Sequence, residues 1–459
     1  MKRKGIVFLS VAILISACTS YIDDNQNSIK PDVRVLGISA TDSLLTPSDA
    51  SVVALIERGG QILTKGVITE EVEEVIPIHD EEGNIIMYAV NYSNGGYVIV
   101  SATKDYYPVL ARVEKGKYSK DLYNTGASVL MREYEEGIKY ARNLPKDTLA
   151  PIRAMWKKYE EPYHGKRVAA KSDDPLLNLV DASIREWNEA GISYTFLNEG
   201  PPKDMPDDVY QKYVDYAVTF SNPNYDYYNN CVIIGERTDN RYKREKLMTT
   251  AWHQNYPFNS SIPNNYPVGC GGVATAQIMA YHKSPFLWEW DNILSYGDKL
   301  GPFIYEVANG IKTKFGPDES PSRIKDVRDY LDNKGYNVQH VSHDINKVIK
   351  SIDNSRPVFM TGYPKGENKG HAWVCDGYEH SSYYIKYTLL VISYIHTEPL
   401  QYEPCGESYM SYGPVYNFFH MNWGWGGYQD GYFSESGWPS RRNYSTNRED
   451  LVNIYPKQN

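Results

Sequence analysis

Pro267-Val268-Gly269-Cys270-Gly271-Gly272-Val273-Ala274-Thr275-Ala276 constrains this chain more than any other stretch, because a cysteine stands between glycines where a helix-forming run begins. Ala274, Ile278 and Tyr281 then recur on one apolar face, which predicts a helix opening at Cys270. A thiol there meets the positive end of the helix dipole and unpaired backbone N–H groups, and both favour the thiolate. The usual fate of a free thiol is a buried structural position. Flanking glycines argue against a packed core and leave room for a substrate carbonyl. Cys270 is the candidate nucleophile.

A nucleophile of this kind needs a base, and the chain has 10 histidines. His282 lies twelve residues along the same helix, roughly 18 Å away at 1.5 Å per residue, so it fails on geometry. His79 and His164 fall well ahead of the cysteine segment. His371 follows the loop Gly362 to Gly370 and begins the strand-like run His-Ala-Trp-Val-Cys-Asp-Gly-Tyr. A base at a strand start beside a glycine-bounded loop suits one wall of a cleft. Without Cys270, the plainer reading of a histidine hydrogen-bonded at a strand end would be preferred. Cys375 stands four strand residues beyond His371, roughly 13 Å, and is expected in the core.

The imidazole in turn needs a positioning group. Asn422, in Phe-His-Met-Asn-Trp-Gly-Trp-Gly-Gly, is the natural choice, with Trp423 shielding the contact from water. Read alone, this stretch is an aromatic-glycine turn used for packing. Gln254, in Trp-His-Gln-Asn-Tyr-Pro-Phe-Asn, lies upstream of the cysteine, where its side-chain N–H can join the Cys270 N–H around an oxyanion. Alone, it reads as a surface glutamine.

The length of 459 residues exceeds one ordinary core and points to two or three domains. A net charge of −9 argues against a general nucleic-acid or anionic-membrane binder. The 41 tyrosines suit wet surfaces or peptide clefts, and equally a composition without function. The chain opens with Lys2, Arg3 and Lys4, an apolar run from Ile6 to Ile15, then Ile-Ser-Ala-Cys18. This run is too short for a permanent membrane helix and reads as a signal peptide over 1–17. The small residues before Cys18 resemble the bacterial lipobox, whose cysteine becomes diacylated; plain secretion is the alternative. With Cys18 lipidated and Cys270 catalytic, Cys231, Cys375 and Cys405 are left, an odd number that cannot all pair within the chain. Cys231 with Cys405 is a conceivable disulfide.

Residues 18–39 read as a polar tether. A small α+β domain over 40–145 holds strands at 85–90 and 97–101 joined as a hairpin, then a helix over 127–143. Residues 146–229 read as a linker or processing region, with Lys166, Arg167 and Lys171 in an exposed stretch that is either a protease target or an ordinary basic linker. From 230 to 459 an α+β domain is predicted, with helices at 322–331 and 344–352 and strands at 357–361, 372–378 and 415–422.

The ordered motifs WxQxxPFN, GCGGVATAQIMAYHKSP, GHAWVCDGY and HMNWGWGGYQDGYF resemble those of the streptopain family of bacterial cysteine peptidases. GGYVIVSATKDYYPVLA resembles that family's inhibitory propeptide. The resemblance implies a papain-like fold, a helical part plus an antiparallel sheet, preceded by the propeptide domain. It implies endopeptidase activity on proteins or peptides, with the propeptide as intramolecular inhibitor. The implied roles are Cys270 nucleophile, His371 base and acid, Gln254 oxyanion donor, and Asn422 with Trp423 orienting the histidine. No cofactor is called for: the sequence has no HExxH motif and no zinc-type Cys/His spacing. Nucleic acid is not an expected partner, and a membrane only through the lipid anchor. The stretch between His371 and Asn422 is longer than the family pattern, with an excess around Tyr383 to Pro414 expected as a hairpin near the cleft. Two rival functions share the fold: acyl transfer to an amine, and non-catalytic peptide binding by a surface lipoprotein.

Overall fold

The computed structural model describes residues 38, 42–58, 72–160, 187, 192–202, 205–219, 231–363, 369–393, 401–404, 407–412, 416–435 and 446–457. The signal-like run, Cys18, the tether apart from Ile38, Lys166, Arg167, Lys171 and Cys405 lie outside the described residues, and Ile38 is buried with its N–H donating to the Tyr159 carbonyl at 2.9 Å.

The N-terminal part contains α1 (Pro47–Glu57), β1 (Val72–His79), β2 (Ile85–Tyr92), β3 (Tyr97–Ser101), β4 (Val109–Val113), α2 (Ala127–Ala141) and α3 (Ala150–Trp156). There follow β5 (Ser193–Phe196), α4 (Asp207–Thr219) and β6 (Cys231–Arg244). The helical half of the C-terminal part consists of α5 (Cys270–His282), α6 (Trp290–Leu294), α7 (Leu300–Gly310) and α8 (Ile324–Asn333), and then β7 (Tyr336–Ser342) and α9 (Ile345–Asp353). The remaining strands are β8 (Val358–Tyr363), β9 (His371–Ser393), β10 (Gln401–Pro404), β11 (Tyr409–Tyr412), β12 (Tyr416–Asn422), β13 (Gly431–Ser434) and β14 (Thr446–Pro456).

One antiparallel sheet runs through the molecule in the order β1-β2-β3-β4-β13-β12-β9-β8-β14-β7. The N-terminal hairpin and the C-terminal strands are joined where β4 pairs with β13, Ala111 opposite Phe433 and Val113 opposite Gly431. Alternation along β9 assigns the two faces. Ala372 and Val374 pack into the core built on α5 and α7, whereas Trp373 and Cys375 pack into the core shared with α1 and α2. Phe359 of β8 follows the first pair, and Val358 with Met360 follows the second. The expected α+β class, with a helical part against an antiparallel sheet, is what the chain forms.

The helix from Cys270 carries the expected face of Ala274, Ile278 and Tyr281 into the core, and burial extends around it, Gly271 through Ala280 all being buried. One expectation needs correction. The excess after His371 does fold back on itself in antiparallel pairing, but away from the cleft. It continues β9, which pairs with β6 from Tyr378 to Val391 and carries β10 and β11. Tyr383 is twelve strand residues beyond His371, about 40 Å along a straight strand. There Tyr383, Ile385, Tyr387 and Leu389 close a separate small core with Ile233, Val209 and Tyr213.

Candidate active site

Cys270 is the first residue of α5, and Gly269 before it has φ +89°, a conformation that side chains other than glycine rarely adopt. A Cβ on Gly269 would run into the Ser320 carbonyl oxygen, and one on Gly271 into the Ser322 hydroxyl. The flanking glycines therefore let the Ser320–Ser322 segment press against the helix start. Close packing, more than the substrate access expected of them, explains their presence.

The Cys270 sulfur is half-buried, and the backbone N–H groups of Ala372, Gly271 and its own residue lie close enough to favour its charged form. The contact with Ala372 brings the sulfur against the first peptide of β9, the strand that His371 begins. Burial holds the thiol above its ordinary range, and these N–H groups only partly offset it. This reverses the expectation of a depressed thiol pKa: desolvation outweighs the helix end. His371 is shifted the other way, below the usual imidazole value, again by burial. The Glu319 carboxylate raises both groups, so thiol and imidazole lie in the field of the same charge. Glu319 itself is exposed and stands 3.4 Å from Lys369 Nζ, just before His371.

Asn422 lies at the end of β12, opposite Val374 on β9. Its Oδ1 accepts from Gln277 Nε2 at 3.1 Å and from the Gly424 N–H at 3.1 Å. Its Nδ2 donates to the Thr250 carbonyl at 2.9 Å and to Gln277 Oε1 at 3.3 Å. Four bonds exhaust a primary amide, so Asn422 has no capacity left for the imidazole. Among the described residues the His371 imidazole has no hydrogen-bonded partner, and the expected Asn422–His371 contact is not formed in this structure. Trp423 is buried; its indole N–H donates to the Gln429 carbonyl at 3.0 Å and its ring lies 5.4 Å from that of Trp373. Gln254 is held through its backbone: its carbonyl accepts the Val268 N–H at 3.0 Å, two residues before Cys270.

Sequence reasoning missed three groups around these residues. Gln277, two turns along the cysteine helix, is wholly buried and touches Asn422. Asp430 accepts the Trp423 N–H at 2.9 Å, and burial pushes its carboxyl up to about 7. Asp376 and His420 form a buried pair at 2.6 Å. His420 pairs with Gly377, five strand residues past Ala372 and so roughly 16 Å along the strand, which removes it as a rival base. His282 is also no rival: it ends the cysteine helix, and burial lowers its pKa to about 4. A polar residue at a two-turn spacing from the cysteine is the signal that could have singled out Gln277.

The N-terminal part reaches this region from the other face of the sheet. A Cβ on Gly126, at the start of α2, would come within 2.7 Å of the Trp373 ring and 2.8 Å of the Trp423 ring. Tyr97 donates its hydroxyl to Gln429, the residue whose carbonyl holds the Trp423 indole.

Residues 252–299 and 297–433 match the model of the Peptidase C10 family, and residues 64–138 that of the Spi protease inhibitor. The chain is similar to streptopain of Streptococcus pyogenes and to streptopain of its serotype M1, in each case 23% identical over 436 residues, covering 83% of this chain and 82% of the relative. Among solved structures it is similar to a fragment of Prevotella intermedia prointerpain A, at 14% identity and a TM-score of 0.45, covering 84% of this chain and 100% of the other. With a cysteine-bearing helix on one face of the sheet and an inhibitor-type segment joined to its edge, the chain is a streptopain-type cysteine endopeptidase, with a Peptidase C10 region over residues 252–433 and its own inhibitory propeptide.

Proposed function

We propose that the chain is an exported, lipid-anchored zymogen in which Cys270 is the nucleophile, His371 the base and acid, Gln254 an oxyanion donor, and Asn422 with Trp423 the pair that orients the imidazole. The observation that carries this reading is the Cys270 sulfur seated against the Ala372 N–H, at the head of the strand that begins with His371. His371 takes the Cys270 thiol proton, the thiolate attacks a peptide carbonyl, and the Cys270 N–H with the Gln254 side chain holds the oxyanion. His371 protonates the leaving amine, then takes a proton from the water that hydrolyses the thioester.

In the full-length chain, burial favours a neutral thiol and a neutral imidazole. Asn422 can receive the imidazole N–H only after exchanging one of its present partners. Both features suit a resting precursor whose site is completed on activation. The proposed division is 1–17 signal peptide, 18–39 tether with Cys18 lipidated, 40–145 inhibitory propeptide, 146–229 processing region and 230–459 peptidase. The basic start, short apolar run and Ile-Ser-Ala-Cys18 support export and the anchor.

Turnover of denatured casein by the activated enzyme tests the site. Cys270→Ala should abolish it, and unchanged turnover would overturn the assignment. Mass spectrometry of the precursor's N-terminus tests the anchor: a diacylated Cys18 is expected there, and an unmodified cysteine would refute lipidation.

A further inference from the structure

We infer that Gln277 is a positioning residue of the catalytic reaction, one amide that holds the cysteine helix, the Gln254 segment and the Asn422 turn in register. This inference rests on the proposed roles of Cys270, Gln254 and Asn422. Gln277 lies seven residues after Cys270, two turns along the same helix, and is wholly buried. Its Oε1 accepts the Trp252 N–H at 3.1 Å and Asn422 Nδ2 at 3.3 Å. Its Nε2 donates to Asn422 Oδ1 at 3.1 Å. One side chain therefore bonds the backbone two residues before Gln254 and both polar atoms of Asn422.

Other bonds close the circuit. The Trp252 carbonyl accepts the Gly426 N–H at 3.0 Å, and the Gln254 carbonyl accepts the Val268 N–H at 3.0 Å. Moving the Gln277 amide disturbs the nucleophile's helix, the oxyanion segment and the orienting turn together. A packing role would need only volume, and a buried amide exposed to no partner would be costly. Here each of its atoms meets a segment that bears a proposed catalytic group. Asn422 must also release a bond before it can receive His371, and the Gln277 Nε2 bond to Oδ1 is one of the two it can release there.

The test uses the full chain, matured by a trace of wild-type enzyme, with active sites counted by thiol alkylation and rates measured on casein peptides. Gln277→Met keeps the volume and removes every polar bond. Its kcat should fall about 100-fold with KM little changed, the cost expected of a catalytic group displaced by about 1 Å. Gln277→Glu keeps the acceptor and loses the donor until its buried carboxyl is protonated, when the O–H can donate to Asn422 Oδ1. The ratio of its kcat to that of wild type should therefore rise as pH falls. Asp430, which faces the turn through the Trp423 N–H, titrates in both enzymes together with Cys270 and His371, so the ratio cancels them. A wild-type kcat in Gln277→Met, or a pH-independent ratio in Gln277→Glu, would overturn the inference. Should Gln277→Met fail to fold, the ratio in Gln277→Glu decides alone. Activity surviving in Cys270→Ala would instead sink the underlying site, whatever the Gln277 variants do.

Discussion

Arg112 of β4 and Glu379 of β9 form an ion pair at 2.7 Å across the junction of propeptide and catalytic sheet. Glu379 is buried and also binds Arg241 at 2.6 Å, while Arg112 also binds Glu57 at 3.1 Å. Each partner thus keeps a counter-charge on its own side when the two parts separate. The junction can open without stranding a buried charge, which would be costly.

Replacing Arg112 breaks the pair one-sidedly. Arg112→Met should weaken propeptide docking by about 1.5 kcal/mol, the scale of one hydrogen bond to a charged group, because Glu379 keeps Arg241. Activation of the precursor, followed by gel and casein turnover, should be faster. An activation rate equal to wild type would refute the prediction.

A second ionic cluster gives a pH signature. His343 lies between Glu435 at 2.7 Å and Asp450 at 2.8 Å, and Arg448 binds Glu435 at 2.8 Å. Burial and Arg448 push the imidazole pKa down, but the two carboxylates outweigh them and hold it at about 9. A raised histidine contributes its stability fully below its unfolded value of 6.5 and loses it as pH climbs through about 9. Burial raises Glu435, but Arg448 and His343 prevail and hold it at about 2, so its contribution is present above 4.5 and fades as pH falls toward about 2. Urea midpoints of the precursor should decline from pH 6.5 to about 9 and flatten over that range in His343→Gln. A slope unchanged by the substitution would contradict the assignment.

Thiol reactivity reports the resting state. Burial raises Cys270 above the ordinary thiol value of 9.0, so alkylation of the precursor at neutral pH should be slow and still climbing past pH 9. Mass spectrometry of the Cys270 peptide measures this without interference from Cys375, which is buried and raised further. A plateau near neutral pH in the precursor would show that the thiolate already forms there.

Gly126 tests the contact at the two indoles. A methyl group there meets Trp373 and Trp423 at contact distances too short to keep, and overpacking of this kind costs about 1–3 kcal/mol. Gly126→Ala should lower the thermal midpoint of the precursor and speed its activation, yet leave the kcat of the matured enzyme unchanged. A slower activation would mean that the added methyl tightens the contact.

Local chemistry was legible where periodicity and caps were strong. The sequence reading placed strands at 85–90 and 97–101, and the structure forms β2 and β3 there as a paired hairpin. The helix expected from Ser322 begins at Ile324, and the one expected from Asp344 begins at Ile345, with Asp344 capping the Asn346 and Lys347 N–H groups. β6 was not legible: most of Arg237–Arg244 is exposed and charged, and that segment is held extended by β9 and not by an apolar face. Nor could the reading see that Asn422 is saturated by Gln277, since hydrogen-bond capacity is shared between segments 145 residues apart in sequence. The residues with chemistry were visible; their state in the precursor depends on burial, which only the fold supplies.

When the propeptide departs, β13 loses β4 and becomes a rim of the sheet, with the backbone of Gly431–Phe433 newly open to water. Unpaired rims invite other extended chains to add themselves, the route by which sheets polymerise. Here the rim spans only Gly431–Ser434, too short for a lasting seam. Its brevity leaves an incoming chain little backbone to pair with once the four propeptide strands are gone.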